Sequence, residues 1–210
     1  MSARKEMNKQ LYDAVKRNEV ETVTSLIERG ADVNARGYSW GWTVLIQACV
    51  NDNKGIVELL LRSGSDVNET NDGGWTALMC VAETGNENIF DLLIKHHSDV
   101  LKKNMFGVTA LHIAARLNHV TIMKKLFSVG VSVDINDNEG CTPLLFAARN
   151  GHVSCVDFLL NHGASPHHKS QRGSPLDVAK QHGHVDVVQM MEQAIRFLGF
   201  GQFFEYFTNS

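Results

Sequence analysis

The sequence predicts an all-α protein whose chain forms a solenoid of stacked helix–turn–helix units. The main observation is a short pattern in which Thr or Ser is followed two residues later by Leu. It returns every 33 residues, except that the last spacing is 32 residues. It is found at Thr43–Leu45, Thr76–Leu78, Thr109–Leu111, Thr142–Leu144 and Ser174–Leu176. A glycine keeps nearly the same period at Gly30, Gly64, Gly130 and Gly163, with His97 in the one missing place. A repeat of this length indicates an array of small stacked units rather than one globular core.

The third unit shows how each unit is built. Asn71–Trp75 is rich in glycine and Asn or Asp, which indicates a turn, and Thr76 is placed to cap a first short helix that ends near Thr84. Gly85 interrupts the pattern, and a second helix with an apolar stripe follows from about residue 87 to 96. Helices this short are marginal alone because nucleation is costly, so the next unit must cover their apolar faces.

Six units can be assigned in this way. The ranges are 1–36, 37–70, 71–103, 104–136, 137–169 and 170–196, and an aromatic extension occupies 197–210. The first and last units depart from the pattern, as terminal capping units do. The extension is too aromatic for a free tail, so we expect that it either docks on the last unit or begins a further domain.

The composition excludes several classes of partner. Hydrophobic residues make up 43% of the 210 residues and charged residues 20%, values typical of a chain that folds unaided. The net charge is −3, and no basic stripe points to nucleic acid or to an anionic membrane. The sequence shows neither a secretion signal at its start nor a run of 18 apolar residues. We therefore expect a protein of the cytoplasm that could also enter the nucleus.

The cysteines predict the same kind of compartment. Cys49, Cys80, Cys141 and Cys155 form no Cys-x-x-Cys pair. Three of them fall within apolar stretches predicted to be helical, where a free thiol packs like a small hydrophobic side chain. Buried and reduced thiols are typical of a reducing environment.

The fifth unit carries the clearest family pattern. It contains Asp137, Gly140, Thr142–Leu144, Ala147–Ala148, Gly151–His152 and Gly163–Ala164, and the endings of other units appear at Gly30–Asn34 and Ser65–Asn68. This pattern resembles the ankyrin repeat family over roughly residues 8–196. The resemblance implies helix pairs joined by β-hairpin-like loops and stacked into a curved solenoid. It also implies a concave side, lined by the loops and the first helices, that binds other proteins.

The chain departs from the family pattern at identifiable positions. The family's His after Thr-Pro-Leu is present only as His112. His97 replaces a left-handed glycine, which predicts mild backbone strain. Gly37 looks like a one-residue insertion in the loop that follows the first unit.

No motif predicts chemistry. The chain lacks GxSxG, HExxH and P-loop sequences. His119, His152 and His184 recur with the repeat, which indicates a structural role in the turn between helices, and the loop histidines have no cysteine partners for zinc. We therefore expect no enzyme activity, no metal site and no cofactor.

The candidate binding residues lie in the loops and at the ends of the first helices. The loop candidates are aromatic or apolar: Tyr38, Trp40, Trp42, Trp75, Met105 and Phe106. Clustered Trp and Tyr are typical anchors of an interface, although Trp42 and Trp75 could instead pack across adjacent hairpins. Further candidates on the concave side are Asn51, Glu83, Arg116 and Arg149, for which an ordinary solvated face is the alternative.

The sequence thus predicts a monomeric, non-catalytic module that binds a protein or peptide in a concave groove. The alternative is a targeting arm of a larger enzyme assembly, such as a ubiquitin ligase or kinase complex. The family resemblance also implies that Asn34 and Asn68 are candidates for modification by a 2-oxoglutarate-dependent asparaginyl hydroxylase, because each has a leucine eight residues earlier.

Overall fold

A computed structural model describes the backbone of residues 3–208 and the side chains of residues 3–196. Over that range the backbone forms twelve α-helices: α1 (Ala3–Lys16), α2 (Val20–Glu28), α3 (Val44–Val50), α4 (Lys54–Arg62), α5 (Ala77–Thr84), α6 (Glu87–Lys95), α7 (Ala110–Arg116), α8 (Val120–Ser128), α9 (Pro143–Arg149), α10 (Val153–Asn161), α11 (Pro175–Gln181) and α12 (Val185–Thr208). The chain divides into an N-terminal half, Met1–Ala110, and a C-terminal half, Leu111–Ser210. The predicted all-α repeat fold is confirmed.

Each of the six predicted ranges contains the start of two helices, a first and a second. In the N-terminal half, the first helices α1, α3 and α5 pack in one row and the second helices α2, α4 and α6 pack in a second row. In the C-terminal half, α9 packs on α11, and α10 lies between α8 and α12. Contacts therefore run from one helix pair to the next, as expected for a repeat array. The division into capping and internal units stays a prediction.

The helices begin where the repeated hydroxyl residue stands. The Oγ atoms of Thr43, Thr76, Thr142 and Ser174 accept hydrogen bonds from the backbone N–H three residues later, at 3.1, 3.2, 3.4 and 3.2 Å. Such caps satisfy one of the free donors of a helix start and stabilise by about 1 kcal/mol each. The predicted cap at Thr76 is confirmed, and the repeated pattern is thus a series of helix starts.

Histidines complete the C-terminal ends of first helices. In the C-terminal half, Nε2 of His152 lies 2.8 Å from the Arg116 carbonyl oxygen, and Nε2 of His184 lies 3.0 Å from that of Arg149. Each carbonyl belongs to the last turn of a first helix, where no intrahelical donor remains. The predicted structural role is confirmed for these two residues. His97 has a φ of +62°, so the predicted left-handed conformation is also present.

The thiols lie in the interior as predicted, since all four cysteines are free and buried. Burial raises the pKa of Cys155 to about 12, and burial also raises the pKa values of Cys49 and Cys80. A high pKa keeps these thiols protonated and poorly nucleophilic.

Among the residues that the structure describes, none of the helices combines the length and apolar character needed to cross a membrane.

Helix α12 continues through the backbone of the aromatic extension to Thr208. The side chains of 197–210 lie outside the described residues, and so does the prediction that they dock on the last unit.

Candidate functional site: the loop row of the N-terminal half

Three loops of the N-terminal half precede first helices, and we call them loop A (Arg36–Thr43), loop B (Asn71–Trp75) and loop C (Asn104–Val108). A buried asparagine organises loops B and C. Oδ1 of Asn71 accepts from the N–H groups of Gly73 and Trp75, both at 2.9 Å. Oδ1 of Asn104 accepts in the same way from Phe106 and Val108, both at 3.0 Å. The asparagine thus closes each loop into a tight hairpin by mimicking a backbone turn.

Loop A is built differently. It is one residue longer than the pattern, and Gly37 N–H donates to the Trp42 carbonyl at 2.7 Å. Trp40 and Gly41 have φ values of +59° and +60°, the pattern of a type I′ turn. Nε of Arg36 donates to the Gly41 carbonyl at 3.1 Å, so a guanidinium takes the organising role that asparagine has in loops B and C.

The extra residue of loop A has to be small. A Cβ atom added to Gly37 would lie 2.3 Å from the Tyr12 ring. That ring is fixed because the Tyr12 hydroxyl donates to Oε1 of Gln47 at 2.9 Å. The inserted glycine therefore lets loop A lie against α1.

Hydrogen bonds join the three loops into one row. Asp72 N–H donates to the Trp40 carbonyl at 3.0 Å, and Met105 N–H donates to the Gly73 carbonyl at 2.9 Å. The Arg36 guanidinium adds bonds to the Thr70 carbonyl at 2.8 Å and to the Glu69 and Asp72 carboxylates at 2.9 and 3.1 Å. The side chains of these loops consequently share one surface, which we call the loop row.

The loop row exposes large apolar side chains. Tyr38, Trp40, Met105 and Phe106 are 67, 70, 61 and 62% exposed. Trp42 and Trp75 are only half-buried, and a Cβ on Gly73 would meet Trp75 at 3.5 Å and Met105 at 3.9 Å. Trp75 and Met105 thus both lie close to Gly73, and the cross-hairpin packing of Trp75 stays a prediction.

Trp40 combines exposure with backbone strain. A left-handed conformation costs a residue with a side chain roughly 1–2 kcal/mol, and glycine avoids this cost. Packing does not compensate, because most of the Trp40 side chain faces solvent. Strained residues of this kind concentrate at functional sites.

The predicted residues on the first helices occupy different surroundings. Nδ2 of Asn51 donates to the Val15 and Lys16 carbonyls at 2.8 and 3.2 Å, so this side chain already caps the end of α1. Glu83 is exposed near the end of α5. Arg116 is half-buried and Arg149 is exposed, and both lie in the C-terminal half.

The asparagines predicted to be hydroxylated bridge successive units. Oδ1 of Asn34 accepts from Asp66 N–H at 2.8 Å, and Oδ1 of Asn68 accepts from Asp99 N–H at 2.7 Å. Nδ2 of Asn68 also donates to the His97 carbonyl at 3.3 Å. Asn34 is the more exposed of the two.

Sequence reasoning missed Arg36 and Asp72. A signal was present, because loop A has no Asn or Asp at the position that organises loops B and C. Because no Asn or Asp side chain stands there, another hydrogen-bonding group is needed to close loop A. Arg36 is the polar residue at the start of that loop. Among the side chains of residues 3–196, no group of three His, Cys, Asp or Glu could hold a metal ion.

Comparison with known proteins identifies the class of protein to which this fold belongs. The sequence pattern of the family described as ankyrin repeats matches residues 11–104, 45–137 and 111–196. These segments cover most of the chain, which therefore belongs to the ankyrin repeat family.

Individual relatives are similar over single stretches. The chain is 45% identical over 58 residues to the mitochondrial disaggregase of Bos taurus, a match that covers 28% of this chain and 8% of the relative. It is 37% identical over 62 residues to ankyrin repeat domain-containing protein 40 of Homo sapiens, covering 30% of this chain and 17% of the relative. It is 45% identical over 56 residues to the 2-5A-dependent ribonuclease of Mus musculus, covering 27% and 8%. Less than a fifth of each relative is matched.

Proposed function

We propose that this chain is a non-catalytic, monomeric module that binds a partner protein or peptide along the loop row and the adjoining first helices. Protein interaction is the general role of ankyrin repeats, and the family membership supports this class of function. The anchors are Tyr38, Trp40, Met105 and Phe106, with Trp42 and Trp75 holding the loops beneath them. The reduced, buried thiols fit a protein of the cytoplasm or nucleus.

The observation that carries the proposal is the conformation of Trp40. A tryptophan at a left-handed position, exposed over 70% of its surface, destabilises the free protein without a packing gain in return. Glycine would serve the turn better. Burial of the indole by a bound partner offsets the cost of this conformation, whereas packing within the free chain does not.

The structure sets the size of the effect. A tryptophan presents on the order of 200 Å², so covering the exposed 70% removes roughly 140 Å² from water. At about 25 cal/mol per Å² this contributes roughly 3.5 kcal/mol before ordering costs are subtracted. We therefore expect truncation of Trp40 to cost about 2 kcal/mol or more, the threshold of an interface hot spot.

The test uses peptides selected by phage display on the intact chain, with affinities measured by titration calorimetry. The double variant Trp40→Ala/Phe106→Ala should bind the selected peptides at least about 30-fold more weakly, the ratio that corresponds to 2 kcal/mol. The matched control is Val20→Ala/Leu101→Ala, which removes exposed apolar groups of the same half outside the loop row. Peptides that bind the first double variant with unchanged affinity, while its circular dichroism is native, would refute the proposal.

A second candidate is a targeting arm of a larger enzyme assembly, such as a ubiquitin ligase or kinase complex. It is favoured by two relatives that carry enzyme names and are matched over only 8% of their length. The native protein should then co-migrate with an enzyme subunit at constant ratio during size-exclusion chromatography of a cell extract. Migration at the size of the free chain would exclude this role.

A further inference from the structure

The acidic character of the chain is confined to its N-terminal half. Residues 1–110 contain 12 basic and 15 acidic side chains, whereas residues 111–210 contain 8 of each. The formal net charge of −3 therefore belongs to the half that contains the loop row. A net negative field favours association with positively charged partners.

The charge is also negative beside Trp40. Asp72 donates its N–H to the Trp40 carbonyl, and its carboxylate lies so near the turn that a Cβ on Gly41 would be 2.2 Å from Oδ1. Arg36 is shared between Asp72 and Glu69, so one cation faces two carboxylates. The Asp72 side chain is 65% exposed, and its Oδ2 has no hydrogen-bond donor among the described residues. An acceptor is thus available beside the turn that carries the exposed indole.

A neighbouring aromatic ring shows how a cation can be placed on this surface. Nζ of Lys9 lies 6.0 Å from the centroid of the Tyr38 ring, at the outer limit of a cation–π contact. The described residues place no corresponding cation over Trp40. Tryptophan is the aromatic side chain that attracts cations most strongly. The Trp40 ring is therefore the stronger cation-binding ring of the two, and it is the one with no cation over it among the described residues.

From this arrangement we infer that Trp40 and Asp72 together bind an arginine side chain of the partner. The planar guanidinium stacks on the indole while its N–H groups donate to the Asp72 carboxylate, a combination that lysine cannot reproduce because its ammonium is not planar. The inference deepens the proposed function, on which it rests, by assigning the chemistry of the partner at one end of the loop row.

The experiment follows the indole N–H signal of Trp40 in ¹⁵N-labelled protein, assigned with Trp→Phe variants at each of the three tryptophans. The probes are the Nα-acetyl amides of arginine, lysine and norleucine at matched ionic strength. Arginine should shift the signal in a saturable way, lysine should do so more weakly, and norleucine should leave it in place. Asp72→Asn should weaken the arginine response by about threefold or more, the effect of losing an exposed charged contact.

Glu69→Gln is the matched control, because it removes the same charge and also breaks an ion pair with Arg36. It should change the arginine response by less than half as much as Asp72→Asn. The inference is overturned if norleucine shifts the signal as far as arginine does, if lysine equals arginine, or if the Asp72 and Glu69 variants behave alike.

The two proposals can fail separately. If the selected peptides depend on Trp40 and Phe106 but bind Asp72→Asn and wild type equally, the interaction surface stands and the arginine assignment falls. If the peptides bind independently of Trp40, the interaction surface itself is refuted.

Discussion

Replacement of Trp40 by glycine and by alanine should show whether backbone strain is stored in loop A. Both substitutions remove the indole and its few contacts, so their difference isolates the backbone. A side chain at φ +59° costs roughly 1–2 kcal/mol, while glycine loses about 0.4–1 kcal/mol through the greater freedom of its unfolded chain. Trp40→Gly should therefore be about 0.5–1 kcal/mol more stable than Trp40→Ala.

The assay is urea unfolding of both variants, followed by circular dichroism because one tryptophan is lost in each. Ser39 provides the control, because it precedes Trp40 in the same loop and does not have a positive φ. There the order should reverse, with Ser39→Ala more stable than Ser39→Gly. If alanine equals or exceeds glycine at position 40, the strain argument fails, and with it the main support for a binding role of Trp40.

Two further predictions test the fit of loop A and the exposed asparagines. Gly37→Ala should destabilise the chain by about 1–2 kcal/mol because the Tyr12 ring must move. Gly55→Ala, in the first turn of α4, should instead stabilise the chain by up to about 1 kcal/mol, because the added Cβ makes only an ordinary contact of 3.5 Å with Oδ1 of Asn53. Equal unfolding midpoints for the two variants would contradict this. Co-expression with a 2-oxoglutarate-dependent asparaginyl hydroxylase should add the mass of one oxygen atom at Asn34 more readily than at Asn68, whose amide is hydrogen-bonded on both sides. An unchanged intact mass would remove the hypothesis.

The repeated parts of the fold could be predicted because the same physical requirement recurs at a fixed interval. Each first helix needs a cap, and Thr76 and its equivalents show this need in the sequence. His152 and His184 were identified by the same periodicity, even though their acceptors lie in another unit and leave no local signal.

The candidate site was harder to predict because it depends on departures from the repeat. The exposed aromatic residues were found from their type and loop position. The role of Arg36 was not found, because three of its acceptors, in Glu69, Thr70 and Asp72, lie 33 to 36 residues further along the chain. Asn51 shows the opposite error. Its position in the repeat predicted a side chain available for binding on the concave side, but its amide donates to a carbonyl at the end of α1.

The ends of the first helices have a consequence for how this chain can be cut or extended. The carbonyls of Lys16, Arg116 and Arg149 each receive their donor from a residue 35 or 36 positions further along. One helix pair therefore does not finish its own hydrogen bonding, and a cut between two pairs leaves the end of the preceding first helix without its side-chain donor. Deletions should be tolerated when they remove a whole period, because the donor that follows then meets an equivalent acceptor.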